Sequence, residues 1–211
     1  MGRRIFRRTR TVIGNKMIHA QSEWKGYMMG PIDPYYSSLS LDAIDKIMYW
    51  RDNYRGSVPA KDWDIVFLKQ AFEWSTYTHD AETGHGAVLT TKDHTIISVG
   101  YNGFIRGVKD DILPNKRPAK YPWFPLHAEV NCLLDCAKQG KSSNNSTIYV
   151  TGEPCFSCYQ MLWQSGITEI VYGNKSSNMT ITDDDYRTNV EIFLWLTKDK
   201  LKVRHIDYSG E

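Results

Sequence analysis

Two short clusters, His127-Ala128-Glu129 and Pro154-Cys155-Phe156-Ser157-Cys158, restrict the fold more than any other part of this chain. Each opens a helical pattern directly after a strand end or loop, and the second begins its cysteine pair 28 residues after His127. Bringing the two together requires both helix N-termini to meet at one edge of a single sheet. Cys155 and Cys158, three apart, are expected to share a helix face. Pro154 suits the entry to a helix, where its missing N–H is harmless. Two thiolates and one imidazole make three protein ligands, which for tetrahedral zinc leaves a fourth position open, as in catalytic rather than structural sites. The positive ends of two helices favour the thiolate forms that such a site needs.

Glu129 lies two residues beyond His127, so it can reach the open position without joining the ligands. Its expected role is proton transfer, from an attacking water to a ring nitrogen and then to a departing amine. His-x-Glu followed by Pro-Cys-x-x-Cys is the signature of zinc deaminases, in which a water attacks C4 of cytosine or C6 of adenine. A structural zinc site and a dithiol redox site are the alternatives, and no second ligand pair completes a closed zinc cage. Cys132 and Cys136, four apart on the helix after His127, read as packing residues. His19, His79, His85, His94 and His205 have no ligand spacing to one another, and none is assigned to metal.

Around these clusters the pattern alternates. Ile65, Leu68, Ala71 and Phe72 recur at helical spacing between Lys61 and Thr78. Gly86 to Thr91 and Thr95 to Gly100 read as a hairpin turned at Lys92-Asp93. Helix His127 to Gln139, stopped by Gly140, is followed by strand Thr147 to Thr151, helix Cys155 to Ser165, strand Glu169 to Tyr172, helix Asp183 to Thr197 and strand Leu201 to Ile206. This order predicts an α/β fold: a three-layer α/β/α domain with a five-stranded mixed sheet over residues 61–211. Residues 1–60 read as an N-terminal extension. It comprises an arginine-rich arm, Met1 to Lys16, and an aromatic segment from Ile18 to Pro59 with one helix, Leu41 to Arg55.

Charge narrows the partners. Lys and Arg total 26 against 24 Asp and Glu, and the net charge of +2 argues against a polynucleotide binder while admitting a small anionic ligand. All four cysteines fall between Cys132 and Cys158, which favours thiolate or metal chemistry in a reducing compartment, the cytoplasm by default. No apolar run approaches the roughly 20 residues of a membrane-spanning helix, so no membrane partner is expected.

Further motifs lie before the zinc cluster: Gly100-Tyr101-Asn102-Gly103-Phe104, Arg106-Gly107-Val108, Asp110-Asp111, Leu113-Pro114 and Lys120-Tyr121-Pro122-Trp123. With His127-Ala128-Glu129, Asn131 and Pro154-Cys155 through Cys158, they make the chain resemble the deoxycytidylate (dCMP) deaminases from about Asp62 to about Gly173. The resemblance implies a cytidine deaminase-like fold, one catalytic zinc per subunit and hydrolysis of dCMP to dUMP and ammonia. It also implies a homo-oligomer, commonly a hexamer, regulated by dCTP and dTTP with magnesium. By the same carry-over Asn102 faces the substrate's sugar and the Ala128 backbone positions the base. An effector site would draw on Gly103, Arg106, Asp110, Asp111, Lys116 and Arg117, with Lys109 and Lys120 nearby.

Three features depart from the family pattern. Asn174-Lys175-Ser176-Ser177-Asn178 stands where a tyrosine near the substrate is common, which bears on the pocket wall and the phosphate contacts. Glu153 is more similar to tRNA adenosine and guanine deaminases, and Cys132 replaces a small residue. The competing readings are a deaminase of 5-substituted dCMP or of dCTP, a base deaminase acting on tRNA or single-stranded DNA, and a nucleotide-binding module without turnover.

Overall fold

A computed structural model of the chain describes residues 40–54, 56, 61–120, 122, 126–176 and 184–211. The basic arm, the aromatic segment up to residue 39, Tyr121, Trp123, Ser177, Asn178 and Asp183 lie outside the described residues. Two units divide between Pro59 and Ala60. In the first, the described element is helix α1, Leu41–Tyr54.

The second unit runs α2 (Trp63–Trp74), a 3-10 turn (Ser75–Tyr77), β1 (Gly86–Thr90), β2 (Ile96–Tyr101), α3 (Ala128–Lys138), β3 (Thr147–Val150), α4 (Phe156–Gln164), β4 (Glu169–Tyr172), α5 (Asp184–Thr197) and β5 (Lys202–His205). The sheet order is β2-β1-β3-β4-β5. β1 pairs antiparallel with both β2 and β3, while β3, β4 and β5 are parallel. This is the mixed five-stranded sheet the sequence predicts, with β1 and β3 buried along their whole length.

Side-chain alternation sends the strands' residues to two cores. Val88, Tyr149 and Val171 pack under α2 against Phe67, Leu68 and Ala71. Ala87, Leu89, Ile148, Val150 and Ile170 face the opposite side, against Ala128, Cys132, Tyr159 and Leu162 of α3 and α4 and Val190 of α5. Helix α2 starts where the Asp62 carboxylate accepts the amides of Asp64 (3.1 Å) and Ile65 (3.3 Å). Helix α3 stops at Gly140, whose φ of +65° turns the chain so that the Gly140 and Lys141 amides reach back to Ala137 and Cys136.

The hairpin between β1 and β2 is wider than a Lys92-Asp93 turn. Thr91 donates its amide to the Thr95 carbonyl at 2.9 Å, and His94 sits at φ 69°. The Thr91 hydroxyl, bonded to Asp93 and taking the Thr95 amide, holds the loop open. His94 stacks on Trp63 with ring centroids 4.5 Å apart, a contact with another helix that no local turn rule contains.

Candidate active site

Because β3 and β4 are parallel, the loops leaving their C-terminal ends lie at one sheet edge, and the antiparallel β1 begins at that same edge. Helices α3 and α4 start there. His127 and Cys155 are the N-cap residues of these helices, both in extended backbone (φ −70°, ψ 159° and φ −70°, ψ 164°). Neither side chain caps its own helix. Both instead turn toward a shared point, so Cys155 precedes the helix and only Cys158 lies in its first turn; the shared helix face expected from their spacing is replaced by a cap and a first-turn position.

The His127 Nδ1 lies 3.4 Å from the sulfurs of both Cys155 and Cys158. Their three donor atoms fall within 4.8 Å of one another, the one such group of His, Cys, Asp and Glu among the described residues. Zinc–sulfur and zinc–nitrogen bonds of tetrahedral geometry would set nitrogen and sulfur about 3.6 Å apart. The donor set and its spacing therefore fit zinc. Hydrogen bonds from Cys158 and His127 hold the Cys155 thiol down to about 4, while the bond to Cys155 and burial push Cys158 up. His127 is raised chiefly by its bond with Cys155.

Glu129, 5% exposed, lies beside Cys158, and burial pushes its carboxyl above the usual carboxylate range. Ala128 is fully buried at the start of α3. Asn102 ties the edge together: its Oδ1 accepts the His85 amide at 2.7 Å, its Nδ2 donates to the Thr83 carbonyl at 2.9 Å and its amide donates to the His85 carbonyl. Asn131 holds the Tyr101 carbonyl at 2.7 Å. Gly100 serves helix packing, since a Cβ there would lie 2.4 Å from Ala128 O and Cys132 N. Cys132 and Cys136 are not part of the His127, Cys155 and Cys158 group; burial pushes the Cys132 thiol up to about 12.

The six residues grouped as an effector set separate in space. Gly103, Arg106 and Asp110 line a cleft with His79, Tyr101 and Asn131. Asp135 pairs with Arg106 at 3.0 Å and His79 with Asp110 at 2.8 Å. Lys116 and Arg117 are not in that lining; the Arg117 amide donates to Glu82 at 2.9 Å. Asp111 is exposed and also outside it. Lys120, 4% exposed, spends its charge on Asp80 (2.7 Å) and Glu82 (3.1 Å), which makes it a brace for the loop.

Two side chains that sequence spacing gave no role meet at this edge. His85 precedes β1, and its Nδ1 meets the Thr151 hydroxyl at 3.1 Å. Lys175 follows β4 and donates its amide to the Thr151 carbonyl at 2.9 Å. His85 belongs to no motif, Lys175 lies in the segment that departs from the family pattern, and only the strand order brings them together.

The family model for the cytidine and deoxycytidylate deaminase zinc-binding region matches residues 61–174. Human deoxycytidylate deaminase is 31% identical over 117 residues, 53% of this chain and 64% of that protein. A probable deoxycytidylate deaminase of Caenorhabditis elegans is 37% identical over 112 residues, 50% of this chain and 54% of that protein. The match thus spans less than two thirds of these relatives' length. A crystal structure of dCMP deaminase from the cyanophage S-TIM5, in complex with dCMP and dUMP, shares the fold with a TM-score of 0.56 at 24% identity, covering 71% of this chain and all of that one.

Proposed function

The chain belongs to the cytidine and deoxycytidylate deaminase zinc-binding family, and on that footing we propose that it hydrolyses dCMP to dUMP and ammonia. The observation that carries this reading is the triangle of His127 Nδ1 and the two cysteine sulfurs with the buried Glu129 alongside. His127, Cys155 and Cys158 would hold zinc. When bound, zinc supplies Lewis acidity that lowers the pKa of a water to about 7. Glu129 takes one proton from that water and delivers it to N3 of cytosine as oxygen bonds to C4. The second water proton reaches the exocyclic amine through the same carboxylate, the C4–N bond breaks, and ammonia leaves.

In this reading the Ala128 backbone positions the base. Asn102 reaches the sugar with the one hydrogen-bonding valence that each end of its amide retains after fixing the 83–85 segment. Regulation by dCTP and dTTP with magnesium extends the proposal, and the cleft holding Arg106 and Asp110 supports it. Exposed apolar side chains on α5, Trp195 at 65% and Leu196 at 68%, support a homo-oligomer. A cytoplasmic location accords with the four free cysteines.

Ammonia release from dCMP, dCTP, deoxycytidine, 5-methyl-dCMP and a short oligonucleotide tests the reading. Turnover of dCMP is expected, and activity confined to the oligonucleotide would overturn it. Glu129→Ala should keep about one zinc per subunit while turnover falls at least about 100-fold. Loss of the metal in that variant would make Glu129 a ligand instead.

A further inference from the structure

The edge that carries the candidate metal ligands also carries a cation with no carboxylate partner among the described residues. Lys175 is half-buried; its Nζ donates to the Ser75 hydroxyl at 2.9 Å and lies 5.8 Å from the centroid of the Phe72 ring. Among the described residues no carboxylate pairs with it. Burial accordingly lowers its pKa, with no acidic neighbour raising it. A desolvated ammonium is costly unless an anion joins it. Lys120, a buried lysine, has two carboxylates. Among the described residues the contrast leaves the Lys175 ammonium open to an anion.

His85 stands beside it. Burial first, then the nearby Lys175 and His127 charges, pull its pKa down to about 4, so the ring is neutral. The Thr151 hydroxyl accepts the Gly86 amide at 3.2 Å, which leaves its own proton to donate to His85 Nδ1. The neutral ring then carries its hydrogen on Nε2, a donor with no protein acceptor among the described residues. Backbone bonds fix both residues to the site: His85 is locked to Asn102, and Lys175 to Thr151, four residues before Cys155. An ammonium and an imidazole N–H thus stand at the end of the sheet where His127, Cys155 and Cys158 lie, near enough for the Lys175 and His127 charges to act on the His85 ring.

We propose that Lys175 and His85 receive the phosphate group of the nucleotide, and that this corner makes the site prefer a phosphorylated over an unphosphorylated cytosine nucleoside. The proposal rests on the deaminase reading above and adds the residues that recognise the anionic end of its substrate. It also assigns a task to the segment where the family's tyrosine is missing. The ligand class is a nucleoside monophosphate, held by one charge-assisted contact and one neutral donor.

The test compares kcat/KM for dCMP and for deoxycytidine in the wild-type protein, Lys175→Met, Lys175→Arg and His85→Phe, with zinc content checked in each. Lys175→Met should lower kcat/KM for dCMP at least about 10-fold, chiefly through KM, while deoxycytidine turnover stays within about 2-fold. Lys175→Arg should restore much of the preference and His85→Phe should lose a smaller part of it. An unchanged ratio of the two substrates in Lys175→Met, or an equal loss on both, would overturn the phosphate corner and leave the deaminase intact. Failure of the zinc-loaded wild-type protein to release ammonia from any of these nucleotides would overturn the deaminase reading itself.

Discussion

Single residues at the site edge are constrained by packing as much as by chemistry. Gly100 and Gly103 look alike in the sequence, both in the Gly-Tyr-Asn-Gly motif, yet only one is sterically pinned. A methyl at Gly100 would meet Ala128 O and Cys132 N at 2.4 Å, whereas nothing lies within 4 Å of one at Gly103. Gly100→Ala should therefore cost about 3 kcal/mol in urea unfolding, since overpacking a core forces backbone shifts. Gly103→Ala should cost under about 1 kcal/mol. Equal costs would show that α3 does not press on β2 as described. The meeting of His127, Cys155 and Cys158 was legible because metal chemistry dictates residue type and spacing. Lys120 was not, because its positive charge looks free until Asp80 and Glu82 fold onto it.

At the level of elements, an ion-pair cluster fastens the start of α2 to the far edge of the sheet. Arg204 on β5 bridges Asp64 of α2, with Nη2–Oδ1 at 2.8 Å, and Glu169 of β4, also at 2.8 Å. The Arg204 guanidinium holds the Asp64 carboxyl below its usual value. Glu169 is lowered too: burial opposes this, but Arg204 and Lys92 together outweigh it. Groups whose folded-state pKa is depressed stabilise above the ordinary carboxylate range and lose that contribution as pH falls through the lowered values. Arg204→Met should thus cost about 1–2 kcal/mol at pH 7. The gap from wild type should close as pH falls below about 4, in urea titrations across pH. A constant gap would mean that Arg204 acts through packing alone. Strand and helix identities came through in the sequence because apolar periodicity reports burial. The widened hairpin did not, since His94 answers to Trp63 on another helix.

For the whole molecule, a metal held by His127, Cys155 and Cys158 would join two helices at one sheet edge, so its loss should be felt globally. Ligand binding to the folded state alone stabilises by mass action, about 4 kcal/mol at a thousandfold excess over Kd. In a unit of this size that corresponds to roughly 10 °C in melting temperature. Chelation should lower the melting temperature by that order, and zinc should restore it. A melt indifferent to chelation, with metal removal verified by elemental analysis, would argue against a metal shared by α3 and α4. Strand order was partly legible from the alternation of elements. The meeting of residues 85, 102, 151 and 175 was not, since only tertiary pairing joins segments so far apart in the chain.

His127 and Cys155 occupy the two helix caps without capping them. Under the proposed function, stability and catalysis would compete for the same positions. Serine or aspartate there would satisfy orphaned amides and firm up both helices by about 1 kcal/mol each, yet every such gain would dismantle the centre. A search for hardier variants that ignores this would converge on inert ones, and its most attractive substitutions would lie at the two positions least free to change.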